Sequence, residues 1–441
     1  MGEEPSLRID EPRHPVPLSS RLAVGELAWS AVAAASLAAA GLAGSDRVSL
    51  DPDRIALAYA SERFGSVDGE PPVAFAPLSG FFRAADGWVR THGNYPHHAQ
   101  ALRSALALSD EAGQEDVAAV LSSLSKDEAE RRITAAGGIC AAVHHERPDV
   151  DAALRAEPLV RVERVGDASP RRLPRSSGLP LAGVRVLDLT RVIAGPVATR
   201  TLALFGAEVL RIDPPATEEI SWQHLDTGHG KRSARLDLAD PSGRERFDDL
   251  LGSADVVVLG YRPEALARLG VAARDLATRH PGIIVAQLSA WGAPDRRGFD
   301  SIVQAASGIA WLESRDGETP GALPAQALDH TAGYLLATAV MALLARRARE
   351  GGSWHAETSL RRIAAELLGM PRTAAAPEFA AVDPAPHLQS FEVAGAAVTT
   401  VGPAPAYGGG PTAFAPPRPW GRDAAVWLED TRTGSAFEGL Q

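Results

Sequence analysis

Cysteine and lysine are scarce in this chain of 441 residues, which has one cysteine and two lysines. A single thiol, Cys140, cannot form a disulfide within the chain or build a cysteine-ligated zinc or iron–sulfur site. So little cysteine is typical of a protein of the reducing cytoplasm. Small apolar residues flank Cys140, which favours a buried thiol over a nucleophile. Because lysine is confined to Lys126 and Lys231, arginine carries nearly all positive charge, and guanidinium groups suit phosphorylated ligands.

The sequence also lacks a basic surplus and the usual metal, hydrolase and membrane signals. A net charge of −11 argues against a protein that binds nucleic acid by neutralising phosphates. His92, His97 and His98 have no carboxylate or thiolate at ligand spacing, and no HExxH or GxSxG motif occurs. The apolar stretch 28–44 is mostly alanine and follows acidic residues rather than a basic n-region. We expect a small-residue helix packed inside a globular protein there, with a membrane helix as the minor alternative.

The most informative segment is residues 179–215, LPLAGVRVLDLTRVIAGPVATRTLALFGAEVLRIDPP. A β-branched run opens it, a Gly-Pro break precedes apolar residues at helical spacing, and a second β-branched run follows. This βαβ order predicts a right-handed crossover between parallel strands. Ligands of such sheets bind beyond the strand C-termini, so residues 190–195 and 213–215 are expected at one crevice.

Strands and helices continue to alternate after this unit. Alternation of this kind predicts an α/β fold, with a doubly wound, mostly parallel, Rossmann-like sheet and a smaller α+β domain. In the smaller domain, aromatic residues around Asp86-Gly87 predict a hairpin, and Ser125 with Glu128 predicts a helix cap. The further predicted strands are 235–238, 256–259 and 283–288, and the further predicted helices are 242–251, 263–269 and 299–312.

Composition divides the chain into five predicted units. Proline-rich polar stretches mark an arm and a linker, and the final stretch loses hydrophobic periodicity. The units are a flexible arm (1–20), a small domain (21–166), a linker (167–180), a large α/β domain (181–372) and an extended C-terminal tail (373–441).

Residues 179–215 resemble the opening of the family III CoA-transferases, a group that includes formyl-CoA transferase, carnitine CoA-transferase and α-methylacyl-CoA racemase. Members begin with a Pro-Leu-x-Gly-x-x-Val-Leu-Asp run and an Ala-Gly-Pro loop. The resemblance implies an enzyme that moves CoA between an acyl-CoA thioester and a free carboxylic acid, with no permanently bound cofactor. It also implies an interlocked homodimer. Further blocks follow in the family's order at 230–270, 280–292, 296–308 and 322–347.

The order of the parts departs from this family. Members usually start with the large domain and insert the small one after the equivalent of Leu360. In this chain the small-domain-like sequence, including ADGWVRTHGN, comes first. The permuted order leaves open whether one chain completes the site, so a family III partner subunit is a further expectation beside the homodimer.

The resemblance assigns the nucleophile to Asp329, in the run QALDHTAGY. An aspartate at a helix N-terminus is oriented and kept ionised by the helix dipole, and its carboxylate can attack a thioester to give an aspartyl-CoA intermediate. The residues alone leave open that Asp329 is only an N-cap. Attack also needs amides for the oxyanion, which the resemblance assigns to Ile193 and Ala194, with the glycine-rich run 407–410 as a second candidate.

Coenzyme A requires apolar slots and several cations. Arg268 and Arg297 suit its phosphates, because guanidinium groups bind phosphate in a bidentate manner. Bland alternatives stay open, since Leu236 and Ala265 could belong to a core and Arg268 could cover a helix surface. By match to the family, the expected CoA contacts are Val192, Ala194, Leu236, Tyr261, Ala265, Arg268 and Arg297.

Two departures from the family's motifs bear on the reaction. LGYRPE stands where the family has ENFRPG, so Leu259 and Gly260 replace a carboxylate and an amide beside CoA. Phe299 precedes Asp300 where the racemase branch has histidine, which disfavours two-base α-proton exchange. The alternatives to CoA transfer are an α-methylacyl-CoA racemase or isomerase and a catalytically silent CoA-binding subunit.

Overall fold

The computed structural model describes residues 7–173, 178–292 and 296–428. Parts of the predicted arm, linker and tail, at 1–6, 174–177 and 429–441, lie outside these residues. The N-terminal part (residues 7–173) contains short strands and helices, with a 3-10 turn at Ser61–Arg63. Its strands are β1 (Arg8–Ile9), β2 (Arg47–Val48), β3 (Ser66–Val67), β4 (Phe81–Ala84), β5 (Gly87–Thr91), β6 (Cys140–Ala142) and β7 (Arg161–Gly166), and its helices are α1 (Val24–Ala43), α2 (Pro52–Tyr59), α3 (Pro96–Ala105), α4 (Gln114–Leu121), α5 (Lys126–Ala135) and α6 (Pro148–Arg155).

From residue 178 onward, strands and helices alternate before a closing hairpin. A second 3-10 turn lies at Ala385–His387. The strands are β8 (Arg185–Leu189), β9 (Glu208–Asp213), β10 (Lys231–Arg235), β11 (Val256–Leu259), β12 (Ile284–Ser289), β13 (Ser353–Ser359), β14 (Leu388–Val393) and β15 (Ala396–Val401). The helices are α7 (Ala194–Leu204), α8 (Ser221–Thr227), α9 (Pro241–Leu251), α10 (Pro263–Arg268), α11 (Ala273–Arg279), α12 (Asp300–Ser307), α13 (Ile309–Leu312), α14 (Ala327–Glu350) and α15 (Leu360–Gly369).

A seven-stranded sheet organises the molecule, with strand order β10-β9-β8-β11-β12-β13-β7. All neighbours are parallel except β7, which pairs with β13 in the antiparallel sense. The predicted α/β fold with a mostly parallel sheet is therefore confirmed, as is its β8-α7-β9 unit. The strand order reverses direction between β8 and β11, and ligands of open α/β sheets bind outside the carboxyl ends of the strands at such a switch point.

Helices cover both faces of the sheet. On one face α7 and α14 form a large core with the Val- and Leu-rich strands, and on the other face α9, α10 and α11 enclose a second core. A separate core lies in the N-terminal part, between the antiparallel sheet β4-β5-β6 and α3, α4 and α5. The predicted small domain, residues 21–166, thus contributes to two cores. Its helices α1 and α2 pack into the large core, while residues 78–140 enclose a core of their own. The predicted domain limits stay predictions.

Two helices are long and apolar enough to cross a membrane by length and composition, α1 and α14. In the structure they pack against each other. Half of the most apolar window of α1 and 83% of that of α14 are buried. The alanines of α1 let the two backbones approach closely, which is the packing that its small-residue composition predicts.

Three elements differ from the sequence predictions. The predicted helix 299–312 is broken into α12 and α13 at Gly308, whose φ is +95° and where a Cβ would lie 2.2 Å from the backbone nitrogen of Glu146. The strand predicted at 235–238 is instead Lys231–Arg235, because Lys231 is buried through an ion pair with a distant residue. The tail was predicted to be extended, but it contains the hairpin β14-β15, whose second strand, β15, pairs with β3 of the N-terminal part.

Candidate active site

The first loop (residues 190–193) follows β8 at the switch point and is held by a buried carboxylate. Asp188 accepts hydrogen bonds from Thr190 and Thr199, each at 2.5 Å, and its Oδ2 lies 3.0 Å from the Lys231 Nζ. Lys231 also donates to the Pro196 carbonyl at 2.8 Å. Burial lowers the pKa of Lys231 to about 8, although Asp188 opposes this change. These contacts give Lys231 a structural role, tying the loop to the start of α7.

The backbone of the first loop is strained at one position. Val192 has a φ of +69°, in the left-handed region that β-branched residues rarely occupy. The chain then turns into α7 at Ala194, so the amides of the first helical turn have no acceptor within the helix. Strain of this kind costs about 1–3 kcal/mol and persists only where surrounding contacts impose it.

Asp329 is the third residue of α14 and is buried, with 7% of its surface exposed. It does not cap its own helix, so the N-cap interpretation of this residue is wrong. Asp300 caps α14 instead: its Oδ2 accepts hydrogen bonds from the backbone amides of Leu328 and Asp329 at 2.9 and 3.0 Å. Gln304 donates to the other Asp300 oxygen at 2.5 Å, which fixes the orientation of this carboxylate.

The helix dipole alone would keep the Asp329 carboxyl ionised, but its surroundings favour the protonated form. Burial, reinforced by the neighbouring Asp300, raises the pKa of Asp329 well above its ordinary value. Burial also raises the pKa of Asp300 to about 6, although Gln304 and the two capped amides oppose this change. The two carboxyl groups therefore compete for negative charge, and ionisation of one disfavours ionisation of the other.

The helices α7 and α14 cross closely beside these residues. At Gly333, one turn after Asp329, an added Cβ would lie 2.6 Å from the Ala194 carbonyl oxygen and 2.7 Å from the Val197 Cβ. Glycine thus permits a backbone approach that no larger residue would allow. The crossing brings the N-termini of both helices together, so the first loop and Asp329 share one cavity.

The cavity has a volume of about 370 Å³ and is lined by residues from both parts of the chain. Seven of the residues predicted from the sequence line it: Val192, Ile193, Ala194, Tyr261, Ala265, Arg297 and Asp329. Two others, Leu236 and Arg268, are not among the lining residues. Leu236 packs against the second core after β10, and Arg268 is exposed on α10. The glycine-rich run 407–410 is not brought to the cavity either, since Tyr407 packs against Phe205 at the far end of α7.

The N-terminal part contributes a wall of aromatic rings that sequence reasoning missed. Tyr95, His97, His98 and Ile139 line the cavity. The ring of Phe299, which also lines it, stacks on His92 with centroids 3.9 Å apart and meets His98 edge-on at 5.9 Å. Burial, with smaller effects from His97 and Arg297, lowers the pKa of His98 to about 3, so its imidazole is neutral. The run HGNYPHH was the available signal, but the sequence favoured a surface or interface cluster there over a metal site, and it did not predict a wall of the cavity.

Several arginines give the cavity a positive rim. Arg191, Arg262, Arg296 and Arg297 line it, and Asp329 is the one acidic residue among its lining side chains in the described part of the chain. Arg297 donates to the Gly137 carbonyl at 2.6 Å, and the Arg296 guanidinium lies over the Trp291 ring. The described residues contain no group of three or more His, Cys, Asp or Glu side chains that could hold a metal ion.

Comparison with known proteins identifies the segment that carries this geometry. The model of CoA-transferase family III matches residues 181–398. We call residues 181–398 the family III segment, after the family model that matches them. The family III segment includes strands β8 to β13, the first loop and Asp329. Tyr95, His97, His98 and Ile139 lie outside it, although they line the same cavity.

Named relatives match less than half of the chain. "Probable fatty acyl-CoA transferase Rv3272" of Mycobacterium tuberculosis is 33% identical over 189 residues, which cover 39% of this chain and 48% of that protein. Formyl-CoA:oxalate CoA-transferase of Afipia carboxidovorans is 33% identical and shares 39% of this chain and 44% of its own length. The chain thus spans about half the length of these relatives or less. A crystal structure of the M. tuberculosis protein is 32% identical, with a TM-score of 0.41, covering 45% of this chain and 57% of that one.

Proposed function

We propose that the protein transfers CoA between an acyl-CoA thioester and a free carboxylic acid, with Asp329 as the nucleophile. One observation carries the proposal: within a family III segment, Asp329 lies at a cavity beside the strained first loop, where two helix N-termini meet. Helix N-termini stabilise developing negative charge through their unpaired amides and their dipole. A homodimer is part of the proposal and is supported by the family resemblance alone, and a cytoplasmic location is supported by the single cysteine.

The reaction consists of carboxylate and thiolate exchanges that balance without a redox step. The Asp329 carboxylate attacks the thioester carbon, the C–S bond breaks, and the acyl group and Asp329 form a mixed anhydride with free CoA thiolate. The thiolate then attacks the aspartyl carbonyl, releasing the donor acid and leaving an aspartyl-CoA thioester. The acceptor acid reverses both steps. The amides of Ile193 and Ala194 stabilise the oxyanion of each tetrahedral intermediate.

Binding of CoA is assigned to the mouth and apolar wall of the cavity. Val192, Tyr261, Ala265 and Arg297 line it. In this proposal the first three contact the pantetheine arm and the Arg297 guanidinium binds a phosphate. Leu236 and Arg268 lie outside the cavity lining, so in this proposal they contact only the nucleotide end of CoA.

Trapping the intermediate tests the proposal. The full chain is incubated with a panel of acyl-CoAs and digested, and the Asp329 peptide is searched by mass spectrometry for a CoA adduct. We expect the adduct in the wild type and in the Asp275→Ala variant, a matched control because Asp275 is an exposed acid on α11. Asp329→Ala should lose both the adduct and exchange of labelled acid into acyl-CoA, while CoA binding persists. Exchange that survives this substitution would rule out the proposal.

The cavity wall formed by the N-terminal part, which includes His98, supports a second candidate function, α-proton exchange on an acyl-CoA. Phe299 removes the histidine of the racemase branch, but His98 lies across the same cavity from another part of the chain. A neutral imidazole can accept a proton and a carboxyl of raised pKa can donate one, and such exchange requires one group of each kind. Incorporation of deuterium from D2O at the α-carbon of a branched acyl-CoA would favour this candidate, and its loss in His98→Asn would identify the base.

A further inference from the structure

A buried carboxylate, Glu219, lies behind the first loop and joins three separate parts of the chain. It precedes α8 and is 7% exposed. Its Oε2 lies 2.6 Å from a guanidinium nitrogen of Arg211 in β9. The Tyr95 hydroxyl, from the N-terminal part, donates to its Oε1 at 2.7 Å. The Val192 amide, from the first loop, donates to its Oε2 at 3.3 Å.

The contact with Val192 falls at the strained position of the loop. Val192 is held at a φ of +69° although its branched side chain disfavours that conformation. The preceding residue is fixed too, since the Arg191 guanidinium lies 3.4 Å from Glu219 and over the Tyr95 ring at 4.9 Å. Glu219 therefore contacts both residues that determine the direction in which the next amides point.

Glu219 acts in this arrangement as an anion. Burial by itself would raise the pKa of Glu219, but Arg211 and Arg191 outweigh it and lower the pKa to about 2. The Ile220 amide donates to it as well, at 3.0 Å. An ionised carboxylate has acceptor sites for all of these donors, whereas an amide side chain would turn an N–H group toward some of them.

We propose that Glu219 is a positioning residue that holds the first loop in its strained conformation and aligns the amides of Ile193 and Ala194 with the reacting carbonyl oxygen. Because Tyr95 donates a hydrogen bond to Glu219, the N-terminal part also helps to align these amides. The inference rests on the proposed function, because it assigns the oxyanion to these amides, and it adds two residues that family resemblance did not supply. It also explains how a wall outside the family III segment can affect the reaction rate.

The test compares Glu219→Gln and Tyr95→Phe with Glu218→Gln, a matched control at an exposed neighbouring position. Losing one oxyanion donor costs about 10²–10³ in kcat, and a displaced donor costs less. We expect kcat to fall about 10- to 100-fold in Glu219→Gln and less in Tyr95→Phe, with the KM for acyl-CoA changed by less than about threefold. The double variant, which combines Glu219→Gln with Tyr95→Phe, should lose no more kcat than Glu219→Gln alone, because both substitutions act through the hydrogen bond between Tyr95 and Glu219. Glu218→Gln should match the wild type.

Active sites are counted by the CoA adduct on Asp329, so that loss of folded protein is not read as loss of kcat. A raised KM with unchanged kcat, or additive losses in the double variant, would overturn the proposal. If Glu219→Gln does not fold, Tyr95→Phe still decides, because Arg211 then keeps its ion pairs with Glu219 and Asp213. Failure of the proposed function shows separately, as exchange that survives Asp329→Ala.

Discussion

Asp329 combines two properties that oppose each other. As the proposed nucleophile it must carry a negative charge, yet its carboxyl is buried next to Asp300, and both conditions favour the protonated form. The pH dependence of the reaction therefore reports directly on this pair.

Asp300→Asn should move the pH profile to lower pH. The substitution removes a negative neighbour that raises the pKa of Asp329, while the amide oxygen of asparagine can still accept from the capped amides. We expect the rising limb of kcat/KM against pH to shift toward acid. Asp316→Asn, a change at an exposed acid, is the control. A limb that stays in place or moves toward alkali would show that Asp300 does not govern the charge on Asp329.

Asp329→Asn should reduce the loss of stability that accompanies rising pH. In the folded state the Asp329 pKa is raised, so above the unfolded value of about 3.9 the native state binds more protons than the unfolded state. The free energy of unfolding thus falls as pH rises through the folded pKa. Removing this group should lessen the fall in the free energy of unfolding between pH 5 and pH 8. Chemical denaturation at both pH values measures it, and equal slopes in both proteins would contradict the assignment.

At the scale of elements, the crossing of α7 and α14 determines the site. Gly333 allows the contact, Asp300 reaches over from α12 to cap α14, and Asp188 and Lys231 anchor the start of α7. Each of these contacts joins residues that are far apart in the chain. The rigidity of the site therefore depends on how its helices pack, and not on its individual loops.

Gly333→Ala should destabilise the protein and reduce its activity. The added methyl would lie 2.6 Å from the Ala194 carbonyl oxygen, so one helix must move, at a cost of about 1–3 kcal/mol. Gly41→Ala in α1 is the matched control: no atom lies within 4 Å of the added Cβ, and alanine should stabilise this helix by about 0.5–1 kcal/mol. Denaturant titration and exchange assays on both variants check the prediction. A tolerated Gly333→Ala would show that the crossing is looser than described.

At the scale of the whole molecule, the two edges of the large sheet differ in how they are protected from pairing with another chain. The edge strand β7 carries charged, exposed side chains, which discourage pairing with another chain. The other edge, β10, is covered by the C-terminal strap (residues 414–428). The Asp423 amide donates to the Ser233 carbonyl and the Ser233 amide donates to the Asp423 carboxylate, both at 2.8 Å. The Trp420 indole donates to Asp213, also at 2.8 Å.

Deletion of residues 417–441 should expose this edge. Unpaired strand edges associate with other chains, so we expect concentration-dependent association in light scattering and a lower melting temperature. Deletion of residues 429–441 alone, which retains the strap, is the control. Trp420→Phe keeps the edge covered and should cost only about 1–2 kcal/mol through the lost hydrogen bond to Asp213. A monodisperse, equally stable truncation would show that the strap does not protect the edge.

Much of the large domain could be predicted from the sequence, because its signals are local. The β8-α7-β9 unit follows from apolar spacing and from glycine and proline at its breaks, and the alternation after it predicts a parallel sheet. Predictions were wrong where a distant residue intervened. Lys231 was not read as strand because its burial depends on Asp188, and Gly308 breaks a predicted helix because residues 145–146 pass against it.

By itself, the sequence determined the order of elements, the family III segment and, through resemblance, Asp329 with the first loop. Only the tertiary structure decided that Asp300 caps the helix of Asp329, that Glu219 holds Val192, and that Tyr95 and His98 face the same cavity. The physical reason is range. Periodicity, turns and caps depend on residues a few positions apart, whereas burial, ion pairing and shared cavities depend on residues that meet only after the chain has folded.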